Sequence, residues 1–255
     1  MRPIGCAMQT RRLVNRITAV GMLSMNSLLD GYGTLVLGGA LQTVQLAICS
    51  LALAFAIGLL GASAKLFGSR WVANLARLYT TIVRGAPDLV LMLLLYYSIQ
   101  ILLNGMTERL HWTQIDIKPF AAGVIVLGLI HGAYFTETFR GAFLAIPRGQ
   151  LESGTSFGMS FGHVLAHILF PQMMRFALPA IGNNWQVIVK STALVSIIGL
   201  SDVVKAAQDA GKTTTHYFFF IGVAALVYLL ITTASNVVLR HLQNRYDHGV
   251  RKVNV

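Results

Sequence analysis

Five long apolar stretches leave this chain few ways to fold. They run over about 35–64, 75–103, 120–139, 176–200 and 217–239. Each offers roughly 20 or more mainly apolar residues, enough to cross a hydrocarbon core of about 30 Å. In lipid every backbone polar group must be satisfied internally, which leaves helices and closed barrels. The stretches are continuous rather than alternating, so helices are expected. The fold class is therefore an all-α integral membrane protein of about five transmembrane helices. Only 11% of the 255 residues are charged, against roughly 25% in an ordinary soluble domain. The first two stretches are long enough to tilt or to extend into water. The fourth is the least uniform, because it carries Asn183, Asn184, Gln186 and Lys190.

The formal charge of +11 does not indicate nucleic acid, because the basic residues gather at the ends of the apolar stretches. Lys65, Arg70 and Arg77 lie between the first two, Arg140, Arg148 and Arg175 around the central loop, and Arg240, Arg245, Arg251 and Lys252 after the last. The other two loops balance acid and base. The positive-inside rule then puts the central loop and the C-terminus in the cytoplasm and the N-terminus outside. Residues 1–30 form a basic tail with Arg2, Arg11, Arg12 and Arg16, which contradict that placement. The tail has no continuous apolar core of the signal-peptide kind, and Met25 offers an alternative start that would leave the first 24 residues untranslated. Residues 31–240 are read as the transmembrane domain and 241–255 as a cytoplasmic tail. Cys6 and Cys49 suggest no disulfide framework; Cys49 is read as a small packing residue.

Between the third and fourth stretches lies the longest amphipathic passage, 147–171. Pro147 suits a helix start, where its missing N–H would be unpaired in any case. Leu151, Gly154, Phe157 and Gly158 share one face at three- and four-residue steps. Gly158 suits a left-handed C-cap. Ser160 is placed to cap a second helix, which Pro171 is expected to end. The short helix either lies on the membrane or presents its small-residue stripe to another protein.

Ionisable groups inside apolar stretches mark either structural pairs or a pathway. Asp88 with Arg84 and Glu137 with Arg140 have spacings that suit ion pairs on one helix face. The competing reading is a cation-binding pocket. Lys190 and Asn183 belong to a polar patch in the fourth stretch, where local unwinding beside a cavity is expected. Tyr134, Thr136, Gln100 and Asn104 are further polar candidates. Gly128 and Gly132 form a close-packing pair, within the chain or against a partner. Residues 206–213, Ala-Ala-Gln-Asp-Ala-Gly-Lys-Thr, imitate a phosphate-binding loop but have Ala206 in the first glycine position and no preceding strand. No ATPase site is expected of this chain. His163 and His167 have two-ligand spacing, but without a third ligand they are read, with His131, as surface histidines and not as a metal site.

Glu152, Ser153, Gly154, Gly158, Ile168 and Pro171 follow the spacing of the Glu-Ala-Ala signature of ABC importer permeases. Ser153 and Gly154 replace the two alanines, and Phe170 replaces a leucine. Residues 41–47, 81–88, 132–143 and 182–196 also resemble polar amino acid permeases, so the likeness runs from about residue 35 to the end. It is nearest the Q-type subunits of the basic amino acid branch, which serves histidine, lysine, arginine and ornithine. Arginine and opine systems are near alternatives, and Asp88 points to this branch.

The resemblance implies a type I importer permease in a bacterial inner membrane. It implies a homologous M-type permease partner, two ATP-binding cassette subunits carrying ATP and Mg, and a periplasmic amino-acid-binding protein. Gly149, Leu151, Glu152, Ser153, Gly154, Phe157 and Gly158 would then couple ATPase motion to the membrane helices without chemistry. Asp88, Arg84, Glu137, Asn183 and Lys190 would lie along the substrate pathway. A secondary transporter needs a complete pathway, usually with internal repeats, and no repeat is evident. A membrane enzyme needs a reactive constellation, and none is evident.

Overall fold

The computed structural model describes residues 31–111, 113 and 116–246. The basic tail, with its possible start at Met25, and residues 247–255 lie outside the described residues. The helices are α1 (Gly33–Phe67), α2 (Arg70–Gly85), α3 (Asp88–Arg109), α4 (Pro119–Leu144), α5 (Arg148–Ser156), α6 (Phe161–Val164), α7 (Phe170–Val195), α8 (Val203–Thr214) and α9 (Tyr217–Tyr246). Five helical segments are long and apolar enough to cross a membrane: α1, α3, α4, the run from α6 through α7, and α9.

Three expectations are corrected. The second stretch is two helices, because Ala86 and Pro87 are extended and interrupt it. Pro171 does not end a helix. It sits in the first turn of α7, after a wider i→i+5 turn at Leu165–Leu169. That turn shifts the hydrogen-bond register, and the missing proline N–H falls where a helical segment begins. Helix α7 also runs unbroken through Asn183. Unwinding is unnecessary there because Asn184 donates to Thr138 Oγ1 at 3.2 Å and Gln186 to Asn236. In addition, α9 continues as helix through 241–246, the start of the expected tail.

The contacts group into two units, 31–43 with 201–227 and 44–200 with 228–246. In the smaller, Asp202 caps α8 by accepting from the Lys205 N–H at 2.9 Å. Thr43 Oγ1 accepts from the Val203 N–H at 3.2 Å. A Cβ on Gly39 would lie 2.7 Å from the Asp202 carbonyl oxygen, so the backbones approach closely here. Residues 206–213 lie inside α8. Helical residues commit their N–H groups to i−4 carbonyls, so this segment forms no phosphate loop.

In the larger unit α4 is the most buried helix and packs most extensively on α7. One core cluster joins Phe135 and Phe139 to Ala47, Ala54, Ala177 and Ile188. The other joins Val126, Leu127 and Ile130 to Leu46, Met92 and Val195. Lipid is as apolar as leucine, so helix association rests on close packing rather than on transfer from water. The Gly128–Gly132 pair provides that closeness within the chain: it faces Leu53 and Ile57 of α1, and a Cβ on Gly132 would lie 2.6 Å from Ile57. Helix α2 is tied to α4 by Tyr79, whose hydroxyl donates to the Leu129 carbonyl.

Two residues sit elsewhere than expected. Cys49 is exposed rather than a packing residue. His131 is buried, while His163 and His167 are at the surface.

Candidate functional site

The central segment is built by its own backbone. The Pro147 carbonyl accepts from the Gln150 N–H at 3.0 Å as α5 begins. At the other end Gly158 has φ +74°. Its N–H bonds the Thr155 carbonyl at 2.9 Å, and the Met159 N–H bonds the Gly154 carbonyl at 3.2 Å. These two bonds make a Schellman stop, which favours glycine at the left-handed position. Ser160 then precedes α6 as expected; its hydroxyl meets His163 Nδ1 at 3.0 Å, not a backbone N–H.

The α5 side chains separate into two sets. Gly154 is buried against Val164 and Ile168, where a Cβ would lie 3.0 Å from each. At Gly154 the small residue is therefore used within the chain, whereas Gly158 stays exposed. Gly149, Leu151, Glu152, Ser153, Phe157 and Gly158 are exposed, Phe157 by 84%. Leu151 and Glu152 also line a cavity of about 380 Å³ with Phe143, Pro147 and Leu169. A phenylalanine so exposed at the end of a pinned helix suits contact with another surface.

About two turns before the end of α4 a second site gathers charge. Glu137 Oε1 meets Lys65 of α1, and its Oε2 accepts from Arg140 Nε at 2.9 Å. Lys65 also bonds Thr80 Oγ1 of α2, which lies 3.3 Å from Glu137. The Lys65 side chain is only 5% exposed, so the carboxylate compensates a buried ammonium. A cavity of about 750 Å³ opens beside this cluster, lined by Lys65, Arg77, Thr80, Arg84, Tyr134, Glu137 and Arg140. Arg84 lies over the Tyr134 ring, 5.5 Å from its centre.

The expected Glu137–Arg140 pair is present. The Lys65 partner was not anticipated, since it lies 72 positions away. Its one sequence signal is a lysine followed by Leu66 and Phe67 at the end of an apolar stretch. The expected Asp88–Arg84 pair is absent among the described residues. The extended residues Ala86 and Pro87 break the helical spacing between them, and Asp88 instead opens α3. A carboxylate suits that first turn, where the helix dipole is positive.

Glu137 and Arg84 thus share a cavity, whereas Asp88, Asn183 and Lys190 do not line it. Asn183 and Lys190 are exposed on α7, seven residues apart and so on one face. The other polar candidates make local bonds. Gln100 donates to Asn104 at 3.1 Å, and Thr136 to the Gly132 carbonyl at 2.8 Å. Among the described residues no group of three or more His, Cys, Asp or Glu has the arrangement of a metal site.

Five helical segments long and apolar enough to cross a membrane, with a pinned and exposed short helix between the third and fourth, make the architecture of a membrane component. The chain belongs to the family described as binding-protein-dependent transport system inner membrane component, which it matches over residues 34–252. It is 55% identical to the histidine/lysine/arginine/ornithine transport system permease protein HisQ of Escherichia coli strain K12, over 89% of this chain and 100% of that protein. It is 39% identical to the arginine ABC transporter permease protein ArtQ of Haemophilus influenzae, over 86% of this chain and 97% of that one. Its fold matches a chain in the crystal structure of an amino acid ABC transporter with histidines. The TM-score is 0.72 and the identity 29%, covering 88% of this chain and 98% of the other.

Proposed function

We propose that this chain is a permease subunit of an ATP-driven importer that takes up basic amino acids: histidine, lysine, arginine and ornithine. The observation that carries this reading is the 55% identity to the permease HisQ of Escherichia coli over that protein's whole length. The chain works in a bacterial inner membrane with its N-terminus periplasmic and its C-terminus cytoplasmic. A homologous M-type permease subunit completes the pathway, two ATP-binding cassette subunits hold ATP and Mg, and a periplasmic binding protein delivers the amino acid.

The chain's part is mechanical. Helix α5, fixed at Pro147 and Gly158, receives the ATPase movement through Gly149, Leu151, Glu152, Ser153 and Phe157. Gly154 passes it to Val164 and Ile168, and so towards α7. A rigid short helix suits this role because a frayed one would absorb the displacement. Along the pathway, Asp88 is the carboxylate best placed for a cationic side chain, since it has no ion-pair partner among the described residues. Glu137 must first exchange Lys65 or Arg140 for substrate. Arg84, Asn183 and Lys190 supply groups for the substrate carboxylate.

The test is ATPase activity of the reconstituted complex, with binding protein loaded with arginine, lysine, histidine or glutamine. Stimulation by the basic amino acids supports the reading. Stimulation by glutamine alone would retain the importer and remove the roles given to Asp88 and Glu137.

A further inference from the structure

Three phenylalanines meet where three helices end or begin. Phe67 is the last residue of α1, Phe143 the last but one of α4, and Phe161 the first of α6. The Phe67 ring stands edge-on to both others. Its centre lies 5.4 Å from that of Phe143 and 5.9 Å from that of Phe161, at interplanar angles of 88° and 78°. Edge-to-face is a preferred aromatic geometry. Phe67 and Phe161 nevertheless stay 53% and 54% exposed, whereas Phe143 packs on the core cluster of Phe135 and Phe139. Half-exposed rings bury little apolar area and so contribute little to stability that way. Their meeting point asks for another role.

The elements on either side of this contact differ in stiffness. From residue 44 onwards α1 interlocks with α4 through glycines on both helices. A Cβ on Gly58 or Gly61 would clash with Phe135 or Thr136, and one on Gly128 or Gly132 with Leu53 or Ile57. Lys65 and Glu137 add an ion pair. Close-packed interfaces of this kind transmit strain rather than absorb it. Helix α6 is bracketed instead. Its Val164 packs on Gly154 of α5, its Phe161 meets Phe67, and the wide turn at Leu165–Leu169 separates it from α7. Wide turns inside helices recur at functional sites.

We propose that Phe161 and Phe67 are positioning residues that carry displacement of α5 to α1 and α4, beside the path through Gly154 towards α7. Val164 passes the movement into α6, Phe161 presses on Phe67, and Phe143 holds that ring to α4. Since the ATPase subunits supply the displacement, this rests on the importer reading. Aromatic rings suit the task. They turn about only two side-chain torsions, whereas a methionine has three and adapts its shape. Lys65 lies two residues before Phe67 and Arg140 three before Phe143, and both line the 750 Å³ cavity with Glu137. Movement at the phenylalanines therefore reaches the cavity wall.

The experiment measures arginine uptake and ATP hydrolysis together, in proteoliposomes holding the complete transporter and arginine-loaded binding protein. Phe161→Ala and Phe67→Ala should each keep stimulated hydrolysis, because the path towards α7 still links binding protein to ATPase. Arginine moved per ATP should fall about fivefold or more, the low end for coupling between two sites. The double variant should lose no more than either single one, because the shared contact is already broken. Phe161→Met fills most of the space without the rigidity. It should uncouple in the same way, and it serves where an alanine variant does not assemble. Phe161→Tyr should stay coupled, since a half-exposed ring has room for the hydroxyl. Phe218→Ala, 96% exposed at the start of α9, should change nothing. Unchanged uptake per ATP in the Phe161 and Phe67 variants would overturn the proposal. So would uptake and hydrolysis falling together in Phe161→Met as in the alanine variants, which would make the cluster structural. A wild-type complex whose hydrolysis ignores every loaded binding protein would sink the importer reading itself, and this route with it.

Discussion

The α5 segment and the Glu137 cluster are close in sequence but are built in opposite ways. Pro147, Thr155, Gly158 and Met159 fix α5 through backbone bonds that span only a few residues. Glu137 draws Lys65 from α1, Thr80 from α2 and Arg140 from its own helix. One site is a local shape that exposes its side chains. The other is a non-local set of charges that satisfies a buried ammonium. A local shape tolerates changes to its neighbours, whereas a shared carboxylate makes its partners depend on one another.

The largest break in this comparison should come from Lys65→Met. It leaves Glu137 part-buried with Arg140 as its one cation. Removing one partner of a buried pair costs about 3–5 kcal/mol, and the low end applies because the Glu137 side chain is 20% exposed. Chemical unfolding of the purified complex measures the loss. A Lys65→Met/Glu137→Leu variant should recover much of it, since an uncompensated charge then no longer remains. A double variant no better than the single would show that Lys65 acts by packing rather than by charge.

The same contrast explains what the sequence disclosed. Span number, the α5 start, the Gly158 stop and the Ser160 position were all legible, because apolar run length and capping residues act locally. The Gly128–Gly132 spacing announced close packing but not its partner, since Leu53 and Ile57 are reached only through the fold. Asp88–Arg84 was misread because Pro87 invalidates helical arithmetic across it. Lys65 was missed for the opposite reason: nothing local to Glu137 points 72 residues back. Gly154 shows a subtler limit. Its smallness was read correctly, but the surface that fills the space belongs to this chain.

A smaller effect is expected at Gly158, and it sharpens the local half of the contrast. A Cβ there meets nothing within 4 Å, so any penalty comes from the φ of +74°. Left-handed geometry costs an L-residue roughly 1–2 kcal/mol, and most for a β-branched one. Gly158→Val should therefore loosen the end of α5 and reduce co-purification of the ATPase subunit several-fold. Gly158→Asn, which accepts this conformation, should stay near wild type. Equal loss in both would implicate the missing hydrogen side chain itself as a contact surface.

Arg140→Gln should have the smallest effect, although Arg140 and Lys65 bind the same carboxylate. The Arg140 side chain is 40% exposed where that of Lys65 is 5% exposed. Its bond to Glu137 is an i,i+3 contact on one helix and ties no second element. Solvent-exposed pairs contribute about 0.2–1 kcal/mol, and salt screens them. The loss on unfolding should accordingly be under that of Lys65→Met by several-fold and should shrink further at high salt. Combining the two variants then separates coupling from position. With both cations gone Glu137 has only the Thr80 hydroxyl, so the double variant should lose more than the two single losses together. Strict additivity would mean that the two oxygens of Glu137 act as separate sites, and the cluster would be two pairs rather than one unit.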